Sequence, residues 1–171
     1  MEELKNKIRD VADFPKPGII FKDLTPVLAD VKTFQKTIDL LAKRYSEKGI
    51  DTIIGIESRG FIFGAPLAYR IDAGFVPVRK KGKLPYKTHS ITYELEYGTD
   101  TLEIHEDAIH AGSRVLVVDD LLATGGTCAA TCQLVEKSGG KVIECAFVVE
   151  LNFLKGRDKL KGQEIFSLIQ F

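Results

Sequence analysis

Residues 115–127 read VLVVDDLLATGGT: an apolar run, two adjacent carboxylates, then small residues and glycines ahead of a helical pattern. A continuous apolar run suits a buried parallel strand, and the loop at the carboxyl end of such a strand is where open α/β proteins bind ligands. The two halves of the segment want opposite partners. Ala123, Thr124, Gly125, Gly126 and Thr127 can turn several backbone N–H groups and two hydroxyls toward one anion at a helix N-terminus, a phosphate cradle. Asp119 and Asp120 repel that anion unless they face sugar hydroxyls or a metal ion. A phosphorylated sugar satisfies both halves. The plainer alternative is a carboxylate-rich strand end before a capped helix.

Upstream, the same rhythm occurs once more. Thr52 to Ile56 reads as a short apolar strand, ESRG (57–60) as a polar turn, Phe61 to Ile71 as a helix and Phe75 to Val78 as the next strand. After VLVVDDLLATGGT a helix runs to about Lys137 and leads into the strand Val142 to Val149, and EIFSLIQF (164–171) reads as a closing strand. Leu4, Ile8 and Val11 recur at helical spacing in the first segment, and DFPKPGIIFKDLTP (13–26) reads as an ordered loop. Asp30 is placed to cap a helix with the apolar face Phe34, Ile38, Leu41, Ala42 and Tyr45, which Gly49 ends. The interval from about Arg79 to Asp107 breaks the pattern. ITYELEYG and TLEI alternate around Gly98, predicting a solvent-facing antiparallel hairpin that serves as a flap.

At 171 residues with 44% hydrophobic content the chain fits one folded domain, residues 1–171. Twenty-four basic residues balance 24 acidic ones, which removes the overall electrostatic case for nucleic-acid or membrane binding. Cys128, Cys132 and Cys145 form no Cys-x-x-Cys pattern and cannot all pair within one chain, so free thiols in a reducing compartment are expected. Cys128 and Cys132, one helical turn apart, read as small buried hydrophobes. The N-terminus is charged where a signal peptide needs an apolar core, and no apolar run is long enough to span a membrane. A cytoplasmic location is expected. His89, His105 and His110 lack a metal-ligand arrangement. The spacing Gly55 to Gly60 fails as a Walker loop, because Phe61 and Ile62 stand where Lys and Ser or Thr are required.

The strand, acidic pair and Ala-Thr-Gly-Gly-Thr loop resemble the signature of the type I phosphoribosyltransferases. DFPKPGIIFKDLTP, ESRGFIFGAPLA, FVPVRKKGKLP, YELEYG with TLEIH, and VVDDLLATGGT together resemble the adenine-specific branch of that family, in order and over roughly residues 10 to 165. The resemblance implies an α/β fold with a mainly parallel central sheet flanked by helices, a β-hairpin flap and a small hood. It also implies a homodimer that converts adenine and phosphoribosyl pyrophosphate into AMP and pyrophosphate, with a magnesium ion held mainly by substrate and water.

Roles follow from the resemblance position by position. Glu57, Ser58, Arg59 and Gly60 match the pyrophosphate loop, often built around a non-proline cis peptide, with Arg59 assisting the leaving group. Asp119 and Asp120 orient the ribose, and Ala123 to Thr127 anchor its phosphate. Arg79 and Lys83 match basic positions for pyrophosphate; on composition alone the cluster Arg79, Lys80, Lys81, Lys83 reads equally as a solvated charge run. Glu96 matches a glutamate proposed to handle the purine proton, and Tyr97 a lid over the closed site. Ile20, Phe21 and Lys22 match the base-recognition turn, with Phe21 and Leu151 on opposite faces of the purine. Lys22 stands where many relatives have Arg, and no role carries onto Tyr86. Two rivals remain: transfer to another base such as hypoxanthine or xanthine, and a regulator that senses phosphoribosyl pyrophosphate and binds nucleic acid.

Overall fold

The computed structural model describes residues 2–94 and 98–171. Among these, helix α1 (Glu2–Lys7) is followed by β1 (Arg9–Ala12), β2 (Ile20–Asp23), α2 (Thr25–Ala29), α3 (Val31–Tyr45), β3 (Thr52–Ile56), α4 (Arg59–Arg70) and β4 (Gly74–Lys80). Then come β5 (Thr88–Glu94), β6 (Thr99–His105), β7 (Arg114–Leu122), α5 (Gly126–Lys137), β8 (Lys141–Glu150), two short 3-10 turns and β9 (Ile165–Gln170). Strands β3 to β9 form one sheet in the order β5-β6-β4-β3-β7-β8-β9, parallel from β4 to β9 and antiparallel at β4-β6 and β5-β6. The β1-β2 ladder stands apart as a two-stranded hood.

The central strands are apolar throughout because both faces are covered. Ile53, Leu116 and Val118 join the core beneath α3 and α4, while Ile54, Ile56, Val115 and Val117 join the core beneath α5. Period-two side-chain alternation thus feeds two hydrophobic layers from one run of residues. The crossover from β3 to β4 passes through α4 on one face, and that from β7 to β8 through α5 on the other. Adjacent strands β3 and β7 therefore send their chains in opposite directions, which opens a crevice beyond their carboxyl ends.

Three local expectations are corrected. The N-terminal helix stops at Lys7, and Val11 lies on β1, paired with Phe21; six helical residues are too few to propagate against a strand partner. Residues 13–26 hold β2 and the start of α2 rather than a loop alone. The flap is rooted in the main sheet: Arg79 and Lys80 belong to β4 and pair with Glu103 and Leu102 of β6. Leu102 and Ile104 are buried in the core under α5, so β6 is a core strand.

Candidate active site

A cavity of about 650 Å³ lies beyond the ends of β3 and β7, lined by Glu57 to Arg59, Lys80, Lys83, Asp119 to Thr127, Cys128 and Phe147. Two helices open onto it, and neither is capped. Helix α5 begins after Gly125, which takes φ of +81° and offers no side-chain cap. Helix α4 begins after Ser58, again without a side-chain cap. Neither has an acidic residue in its first turn. Helix α3, by contrast, is capped by the Asp30 carboxylate, which accepts from the Thr33 N–H at 2.9 Å. Uncapped first-turn N–H groups and the positive ends of two helix dipoles make the cavity an anion site at both walls.

The walls approach closely because of glycines. A Cβ on Gly60 would lie 2.8 Å from the Val118 carbonyl oxygen and 3.0 Å from Asp119 Oδ1, so only glycine lets the start of α4 reach the acidic pair. Across the cavity, a Cβ on Gly125 would run into the carbonyl oxygen of Gly156, and one on Gly156 into that of Ala123. The peptide bond between Glu57 and Ser58 is cis, as is that between Phe14 and Pro15.

Asp120 is buried and pairs with Arg59, Oδ2 to Nε 2.8 Å. Half-buried Asp119 accepts the Asp120 N–H at 2.9 Å. Burial first, and the neighbouring Asp120 charge second, push the Asp119 carboxyl well above its ordinary range. Burial also raises Asp120, against the opposing pull of Arg59. One guanidinium thus faces two carboxylates. Glu57 is the reverse case. Burial alone would raise its carboxyl, but Lys83 Nζ at 2.7 Å, the Lys80 N–H at 2.8 Å and Arg79 Nε at 3.4 Å hold it below the ordinary range.

Phe21 on β2 has the Arg59 guanidinium 5.8 Å from its ring centroid and Phe14 edge-on at 5.2 Å. Ile20 is exposed. Lys22 turns elsewhere: its ammonium meets Asp10 at 2.7 Å and lies over the Phe171 ring at 3.9 Å. Leu151 donates its N–H to the Leu122 carbonyl at 3.0 Å, tying the end of β8 to the end of β7. Glu96 and Tyr97 lie outside the described residues. The flap strand β5 reaches the loop through Tyr93, whose hydroxyl is 3.2 Å from Thr127 Oγ1.

Two features escape sequence reading. Lys80 lines the cavity, although only its place in a basic run is visible beforehand. Glu150, just before Leu151, is buried and accepts from Arg157 at 2.6 and 2.8 Å, from Ser167 at 2.7 Å and from Gln170 at 3.4 Å; no sequence spacing signals that convergence.

The chain matches the phosphoribosyl transferase domain model over residues 26–167. It is 59% identical over 171 residues to the adenine phosphoribosyltransferase of Syntrophotalea carbinolica, covering the whole of both chains. Among solved structures, the adenine phosphoribosyltransferase of Thermoanaerobacter pseudethanolicus superposes with a TM-score of 0.96 at 59% identity, covering 99% of each chain. That of Saccharomyces cerevisiae, complexed with an imino-altritol bisphosphate and adenine, gives 0.92 at 48% identity over 98% of this chain and 97% of that one. A full-length match in sequence and in fold leaves one assignment: the chain belongs to the phosphoribosyltransferase family, in its adenine phosphoribosyltransferase branch.

Proposed function

We infer that this chain transfers the 5-phosphoribosyl group of phosphoribosyl pyrophosphate to adenine, giving AMP and pyrophosphate in purine salvage. The observation that carries the chemistry is the pairing, in one crevice, of two uncapped, acid-free helix N-termini with an under-neutralised carboxylate pair. Two anionic ends and a hydroxyl-rich middle are what such a crevice binds. The first-turn N–H groups of Gly126 to Cys128 and the Thr124 and Thr127 hydroxyls take the 5-phosphate. Asp119 and Asp120 accept from the ribose hydroxyls and fix the sugar. Ser58, Arg59 and Gly60 take the pyrophosphate, with Lys80, Lys83 and Arg79 of the same subunit or its neighbour adding positive charge.

Displacement at the anomeric carbon passes through a cation-like sugar, so alignment of the partners and stabilisation of the departing pyrophosphate carry most of the rate. Arg59 faces that leaving group once the ribose engages Asp120. Phe21 and Leu151 sandwich the purine while backbone groups of the turn at Ile20 read its edge; with its ammonium committed to Asp10, Lys22 contributes through its backbone. Glu96 handles the purine proton, and Tyr97 covers the closed site. The acidic pair also fits a magnesium ion, which substrate and water would hold in the main while Asp119 and Asp120 would supply negative charge near it. When bound, the ion supplies charge compensation for the pyrophosphate. A homodimer and a cytoplasmic location complete the reading. Exposed Ile62 and Tyr69, seven residues apart on α4, offer an apolar face, and three free thiols suit a reducing compartment.

The test is pyrophosphate release from phosphoribosyl pyrophosphate and magnesium with a panel of bases. Adenine should exceed hypoxanthine in kcat/KM by roughly ten-thousandfold, because a keto oxygen sets acceptor against acceptor in a buried site. A ratio near one overturns the adenine assignment and leaves phosphoribosyl transfer standing; no release with any base overturns both.

A further inference from the structure

Cys128 and Cys132 lie one turn apart on α5, and Cys145 faces them from β8. All three are free and buried, with sulfur atoms within 4.8 Å of one another and the Cys132–Cys145 pair at 3.5 Å. An ion bound through sulfur bonds of about 2.3 Å holds its sulfurs roughly 3.5 to 4 Å apart, so small rotamer shifts close this triangle. We propose that Cys128, Cys132 and Cys145 form a buried three-thiol site that captures a trivalent thiophilic metalloid, of which arsenite is the simplest. Nothing in the phosphoribosyl transfer uses these thiols.

Two observations select this ligand class. Among the described residues the cluster contains no His, Asp or Glu ligand, so zinc, which takes four ligands in closed sites, lacks a fourth protein donor. The surroundings are apolar, with Val135, Phe147, Leu160 and Ile165 in the same core cluster. A cuprous ion on three thiolates leaves two negative charges there, and a buried unpaired charge is strongly disfavoured. Arsenic(III) leaves none. In the capture, three S–H and three As–O bonds of arsenous acid break, three As–S and three O–H bonds form, and three waters depart; arsenic stays trivalent and no oxidant is needed.

The site also has an entrance. Cys128 lines the active-site cavity together with Phe147, so an uncharged arsenous acid molecule meets that thiol first and the deeper pair afterwards. The test uses the reduced full-length protein, incubated with sodium arsenite, desalted and assayed for arsenic by mass spectrometry. One arsenic per chain is expected, with three thiols withdrawn from a thiol-specific reagent. Cys132→Ala and Cys145→Ala should each weaken retention by about a hundredfold or more, because the third bond of a chelate is made at high effective concentration. Should either variant fail to fold, Cys128→Ser at the cavity wall carries the same comparison. No retained arsenic, equal retention by wild type and the alanine variants, or preferential retention of cuprous or zinc ion in competition would each overturn the proposal.

Discussion

Two sets of buried carboxylates sit at opposite levels of satisfaction. Glu150 is met by Arg157, Ser167 and Gln170, and Glu144 by Arg44 at 2.5 Å and Lys48 at 2.6 Å. Pairing with Arg157 holds Glu150 below the ordinary carboxylate range; Glu144 is likewise held low, because Arg44 and Lys48 outweigh its burial. Asp119 and Asp120 share a single arginine and are held above that range. The first set is complete without a ligand and braces the fold. The second has one cation for two carboxylates, an imbalance of the kind found where carboxylates serve a ligand rather than the fold.

The comparison can be broken most severely at Glu150. Arg157→Ala strands a buried charge and should cost about 3 kcal/mol, at the low end for such a loss because Arg157 is itself partly exposed. Thermal denaturation should show Tm lower by roughly 6 to 12 °C. An unchanged Tm would mean that the brace is dispensable. Next comes Asp120→Asn, which keeps the shape and removes the charge: kcat/KM should fall about a hundredfold, about 2.7 kcal/mol of transition-state stabilisation, with Tm maintained. Wild-type turnover would remove the acidic pair from the site.

Asp119→Asn sharpens the contrast through pH. A carboxyl whose folded pKa is raised lends stability below its unfolded value, here 3.8, and loses it as pH rises through the folded value. The Asp119 carboxyl is therefore a burden on the folded state at neutral pH. The ligand-free variant should be more stable there by about 1 kcal/mol, within the usual range for relieving a strained site, and the gain should vanish as pH falls toward 3.8. Glu144 and Glu150 behave oppositely, since their lowered values give stability above their ordinary 4.5 that is lost as pH falls through the folded pKa. The smallest effect belongs to Lys83→Met. Its ammonium is half-exposed, so breaking the pair with Glu57 should change stability by only about 0.2 to 1 kcal/mol, while KM for phosphoribosyl pyrophosphate rises severalfold in steady-state assays.

The parallel core was legible because burial on both faces writes strands as unbroken apolar runs, and Thr52–Ile56 is found where its sequence places it. The glycine-rich turn into α5 was legible for a similar reason: its physics is local, carried by backbone N–H groups of consecutive residues. The hood was not. Strand β1 has four residues, largely exposed, and its register with β2 rests on a partner across a proline-rich turn. Glu150 with Arg157, Glu57 with Lys83, and Cys132 with Cys145 are pairings in space between separate elements. Periodicity describes one element at a time and says nothing about which side chains meet between two.

The backbone of Gly156 occupies the space that a side chain on Gly125 would need, and the carbonyl of Ala123, in the same loop as Gly125, occupies the space that one on Gly156 would need. They are neighbours across the cavity wall, one in the phosphate loop and one in the turn that follows Leu151. Neither can drift independently over evolutionary time: a methyl at either position forces the two backbones apart, and no change at the other glycine, which has no atoms to remove, can compensate. The pair is thus a historical lock. It ties the turn into α5 to the turn after Leu151, so any rearrangement of one segment has to carry the other with it.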